Sequence, residues 1–161
     1  MMMMLIELVV RAQGKYFNTP STNVVDLRST GGVTFRSFGK TGYFGTGYDV
    51  WDELIAPNLQ SAMDVETWRQ GSGSPLPSNC TAKYHVENVE YVTMAGITWK
   101  YTADHSKWGI TSPSSSTWSC VGDINRMASQ GNRGGGAVCF QNSGLHKSIL
   151  ASIKSVAPCP N

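Results

Sequence analysis

The chain has 161 residues and a mass of 17.5 kDa, with 40% apolar residues, 15% charged residues, 17 glycines and 7 prolines. That suffices for one domain with a real core. It excludes an intrinsically disordered chain and a coiled coil, and no apolar run reaches the length of a transmembrane helix.

Residues 1–22 read as an ill-determined lead-in. Its first ten residues, MMMMLIELVV, form a short apolar run broken by Glu7, without a basic flank or a small-residue cleavage site. The expectation is that the start of a longer precursor is missing. Residues 23–29 and 33–38 are strand-like, and Thr30-Gly31-Gly32 suits a hairpin turn between them. A glycine-rich loop over 39–47 precedes a short helix over 48–55, whose Tyr48, Trp51, Leu54 and Ile55 share a face and which Pro57 stops. Strands are predicted over 63–68, 83–93, 97–101, 105–110, 117–122 and 137–140, separated by loops at 70–79, 111–116 and 128–136. A closing amphipathic helix carries Leu145, Ile149, Ile153 and Val156 on one stripe. Residues 23–161 thus read as a single α+β domain, a mixed sheet flanked by helices.

Charge and cysteine usage add to this. Formal net charge is +2, but residues 1–99 carry 7 basic and 9 acidic side chains while residues 100–161 carry 6 and 2. A positive field in the last third favours an anionic substrate, unless it is a chance surface bias. Cys80, Cys120, Cys139 and Cys159 are even in number and lack the close pairing of zinc ligands, so no metal is expected. Two disulfides, in any of three pairings, place the chain in an oxidising compartment. Asn79-Cys80-Thr81 is a glycosylation sequon there.

Phosphate-loop motifs fail: Gly39-Lys40-Thr41 ends like a Walker A, but Thr34 stands where its first glycine belongs. The informative stretch is Asp104-His105-Ser106-Lys107-Trp108. On a strand, His105 and Lys107 project to one side and Ser106 to the other. Such a pair can handle phosphorus without a cation: the imidazole attacks or protonates, and the ammonium holds a non-bridging oxygen. An enzyme working with one neutral and one protonated imidazole favours mildly acid pH. The plain alternative is a half-exposed histidine beside a surface lysine. Asn125 and Arg126, in Gly122-Asp123-Ile124-Asn125-Arg126, either bind phosphate oxygens and orient the histidine or close a strand with an Asx turn. The glycines of Asn132-Arg133-Gly134-Gly135-Gly136 let backbone approach a ligand or another strand.

Taken together, DHSKWGIT (104–111), WSCVGDINR (118–126) and RGGGAVC (133–139) resemble the C-terminal half of deoxyribonuclease II. GGVTFRSFGK (31–40), LPSNCT (76–81) and APCPN (157–161) are similar to that family in the same order, so the resemblance covers about residues 23–161. It implies the phospholipase D superfamily fold, in which two similar halves each supply a His-x-Lys. It further implies metal-free, cofactor-free acid cleavage of DNA through a phosphohistidine, leaving 3′-phosphates, by a secreted or lysosomal enzyme with no membrane attachment. His105 and Lys107 would be catalytic, and Asn125 and Asp123 would support the phosphate, Asp123 standing where the superfamily has serine. The family pairing would join Cys80 to Cys159 and Cys120 to Cys139. The family's first His-x-Lys is missing, and His85 and His146 do not replace it, because Glu87 and Ser148 follow two places later. The expected ways to complete the site are a homodimer or a separate N-terminal half. The alternative is an inactive module that binds DNA or a protein.

Overall fold

The computed structural model describes residues 18–112 and 116–157. Nine strands form one sheet: β1 (Thr22–Arg28), β2 (Thr34–Lys40), β3 (Met63–Glu66), β4 (Val86–Met94), β5 (Ile97–Lys100), β6 (Trp108–Thr111), β7 (Trp118–Gly122), β8 (Gly135–Gln141) and β9 (Ile153–Ala157). Their order is β1-β2-β8-β7-β6-β3-β4-β5, with β9 also on β4. Among the described residues only the β3–β4 pairing is parallel, so the sheet is mixed and the α+β expectation holds. The β1–β2 hairpin turns where expected: Gly32 takes φ 85°, and its N–H donates to Ser29 O at 3.0 Å.

The core lies between the sheet and the helix that follows the glycine-rich loop. Trp51 is fully buried and its indole N–H donates to Ile124 O at 3.0 Å. The ring lies against β6 and β7 where they carry glycine: a Cβ on Gly109 would stand 3.0 Å from it and one on Gly122 2.9 Å. Phe38, Ile55, Val65, Ala137 and the Cys120–Cys139 bridge complete this layer. Cys120 and Cys139 face each other in the β7–β8 register, so that bridge matches the family pairing. The expected Cys80–Cys159 bridge has one end outside the described residues; no described cysteine is free.

Three expectations about elements are corrected. Pro57 does not stop the helix. The chain makes a wide turn, Trp51–Ile55, and continues as Ala56–Leu59, ending where Gln60 turns left-handed at φ 53°. The wide turn, in which Ala56 N–H reaches back to Trp51 O, absorbs the donor that proline lacks. The strand predicted over 105–110 begins only at Trp108, leaving Asp104 to Lys107 as irregular backbone. The closing helix spans Ser143–Ser152, capped by the Asn142 side chain, and Ile153 and Val156 belong to β9 instead. β9 pairs antiparallel with β4, supplying partners to backbone that a longer helix would leave open. The helix buries His146, whose Nε2 lies 2.8 Å from Thr111 O, rather than Leu145, which is exposed.

Candidate active site

His105 sits in a four-residue link between the turn Tyr101–Ala103 and β6. Asp104 shapes this link: Oδ1 accepts the Ser106 N–H at 2.8 Å and Oδ2 accepts the Trp99 indole N–H at 2.9 Å. Burial works to raise the Asp104 pKa, but these donors and Lys107 outweigh it, and the carboxyl stays below its ordinary range. The link is an Asx-type turn rather than a strand because the carboxylate satisfies the Ser106 amide.

The His105 side chain is exposed and stacks on Trp68, with ring centroids 4.4 Å apart and planes at 28°. Lys107 is half-buried and donates from Nζ to the His105 carbonyl at 2.5 Å. Burial and the nearby Arg133 lower the Lys107 pKa, opposed by Asp104, Asp123 and Glu66. Two cations, Lys107 and the exposed Arg133, therefore lie within electrostatic reach of one another, Lys107 being bonded to the histidine's own backbone. That is an arrangement for holding an anion.

The other predicted site residues divide. The Gly122 N–H donates to Lys107 O at 2.9 Å, which ties the end of β7 to the link. Asp123 is exposed, and one of its oxygens is bonded within the fold. Its Oδ1 accepts the Gly136 N–H at 2.7 Å, and a Cβ on Gly135 would fall 2.5 Å from that same oxygen. It lines a cleft of about 380 Å³ together with Lys40, Gly122, Gly135 and Gly136, in which neither His105 nor Lys107 takes part. Asn125 is half-buried, and its side-chain oxygen is buried with no hydrogen-bond partner among the described residues. No hydrogen bond joins Asn125 to His105 or Lys107 among the described residues. Arg126 is corrected outright: it is 1% exposed, so it is no phosphate ligand. Its Nε donates to Asp49 at 2.7 Å, Nη1 to Asn88 Oδ1 at 2.6 Å and Nη2 to Pro77 O at 3.1 Å. The sequon residue Asn79 is half-buried, and its amide donates to Asp52 Oδ2 at 2.6 Å while its oxygen accepts from the Thr81 N–H.

Sequence reasoning missed three residues. Trp68 carries the histidine. Glu66, fully buried on β3 opposite Trp108, lies within electrostatic reach of Lys107, and neither carboxyl oxygen has a partner among the described residues. Lys40, 6% exposed, donates to the carbonyls of Gln130, Gly131 and Arg133 at 3.0, 3.1 and 2.5 Å, fixing the loop that carries Arg133. A lysine read as part of a glycine-rich loop gave no signal of burial.

Comparison with known proteins shows the family. The family model for Deoxyribonuclease II matches residues 2–159. The chain is 40% identical over 141 residues to Plancitoxin-1 of Acanthaster planci, covering 87% of this chain and 38% of that protein. It is 38% identical over 141 residues to Deoxyribonuclease-2 of Caenorhabditis elegans, covering 86% and 36%. To Deoxyribonuclease-2-alpha of Mus musculus it is 36% identical over 157 residues, covering 96% and 43%. The chain thus spans well under half the length of these relatives.

Proposed function

Since this chain belongs to the deoxyribonuclease II family, we propose that it is one catalytic half of an acid DNA endonuclease that works through His105 without a metal. The observation that carries this reading is the His105–Lys107 link, held off the strand, with an exposed imidazole stacked on Trp68 and Lys107 bonded to the histidine's carbonyl. An imidazole nitrogen attacks phosphorus and a P–N bond forms. The P–O bond to the 5′-oxygen breaks, and that oxygen takes a proton from a second, protonated imidazole. Water activated by the second imidazole then cleaves the P–N bond, leaving a 3′-phosphate and a free histidine. Lys107 and Arg133 hold the non-bridging oxygens as their charge grows, and the amide of Asn125 supports the phosphate.

The second imidazole comes from elsewhere. His146 is buried against Thr111 and belongs to the fold. His85 lies beside Asp64 and Glu87 in a separate cavity of about 180 Å³. Of the two ways to complete the site, we take a second copy related by a twofold axis, which leaves the purified chain active by itself; a separate N-terminal half would leave it inert on DNA. The sheet face suits such a partner: Val121 and Val138, paired in register, are 63% and 41% exposed. A secreted or lysosomal location fits the bridged cysteines and the acid chemistry. Among the described residues no helix is long and apolar enough to cross a membrane. The second reading, a non-catalytic module that binds DNA or a protein, is favoured by the single His-x-Lys. It predicts salt-sensitive DNA binding without cleavage.

The ends of the products test the proposal. DNA digested at acid pH in EDTA is expected to carry 3′-phosphate and 5′-hydroxyl termini, so that polynucleotide kinase labels it directly. Fragments with 5′-phosphates, or digestion abolished by EDTA, would contradict it.

A further inference from the structure

We propose that Trp68 is a positioning residue for His105: its indole face holds the imidazole in one orientation toward the substrate. This rests on the reading of His105 as the reacting group.

An exposed histidine on irregular backbone is otherwise free to turn about its side-chain bonds among staggered wells. The His105 ring makes no hydrogen bond among the described residues, so the face-to-face contact with Trp68 selects its plane. Trp68 is itself fixed at both ends of its reach. Its Nε1–H donates to Thr102 O at 3.2 Å, in the turn immediately before the link, so the indole is tied to the backbone segment that bears the imidazole. Arg69 reinforces this, stacking on Tyr101 of the same turn at 4.0 Å while donating to Val89 O and Glu90. On the other side Thr67 is fully buried, and its Oγ1 accepts the Arg126 N–H at 3.0 Å. The run Thr67-Trp68-Arg69 therefore joins the link bearing His105 to the segment bearing Asn125. Two groups far apart in sequence are set against one spine, and small errors in such placement are costly for reaction rate.

The test compares the full-length, oxidised wild-type chain with Trp68→Leu and Trp68→Phe by two readouts. In proton NMR the His105 Cε1 proton should be shielded by the indole in the wild type, move to an exposed-histidine position in Trp68→Leu, and return part-way in Trp68→Phe. In DNA cleavage at acid pH, kcat should fall about tenfold in Trp68→Leu with KM unchanged, as expected when alignment rather than binding is lost, and Trp68→Phe should recover most of it. The Phe variant, which keeps an aromatic ring, guards against a Leu variant that fails to fold. An active wild type with unchanged kcat in Trp68→Leu would overturn the inference alone. A His105 resonance indifferent to residue 68 would do the same. A wild type inert on DNA, with the shielded resonance present, would overturn the functional reading and the positioning role with it.

Discussion

At the scale of single residues, the chain places two carboxyls where charge is expensive. Burial pushes the Glu66 carboxyl up to about 8, and burial followed by its register partner Glu87 pushes Asp64 up to about 6. Each holds its proton more tightly in the folded than in the unfolded chain. Their contribution to stability is therefore complete below about pH 4, where unfolded carboxyls are protonated too, and is lost as pH climbs through 6 and then 8. Thermal unfolding followed at pH 5, 6, 7 and 8 should show a midpoint that falls with pH, and Glu66→Gln should flatten the upper part of that fall. Parallel curves for the two proteins would contradict the assignment. None of this was legible in the sequence, where Met-Asp-Val-Glu reads as an ordinary strand. His105 and Lys107 stood out in the sequence as a candidate pair, because a His-x-Lys beside the later motifs is specific. Arg126 was left open between two readings because an arginine at a strand end looks the same whether it faces phosphate or, as here, Asp49, Asn88 and Pro77 from three separate segments.

Among elements, β7 and β8 matter most, since the segments bearing Asp123, Asn125 and Arg133 hang between them. The Cys120–Cys139 bridge ties the two strands with a sequence separation of 19. By the chain-entropy relation a loop of that length contributes about 3 kcal/mol. The double variant Cys120→Ala/Cys139→Ala should therefore lower the denaturant midpoint, with a slope no smaller than the wild type's because the unfolded chain is released from its cross-link; an unchanged midpoint would show the bridge to be idle. The strands were legible from their alternating and β-branched runs. Their ends were not: the link 104–107 leaves the strand through side-chain bonds from Asp104, and β9 leaves the helix because β4 offers a backbone edge. Both are tertiary outcomes that override a local pattern.

For the molecule as a whole, the α+β class and the mixed sheet could be read from the order of strands and helices, and the family from three motifs in the last third. The sheet order could not, because β2 reaches β8 and β3 reaches β6 across long sequence separations. The central claim is that His105 drives DNA cleavage, and plasmid relaxation at pH 5 in EDTA tests it most directly, with wild type and His105→Ala compared as purified, oxidised chains. The account predicts nicking and linearisation by the wild type and a loss of at least about a hundredfold in His105→Ala, the scale of removing a general acid or base. Equal cleavage by the two proteins would contradict it.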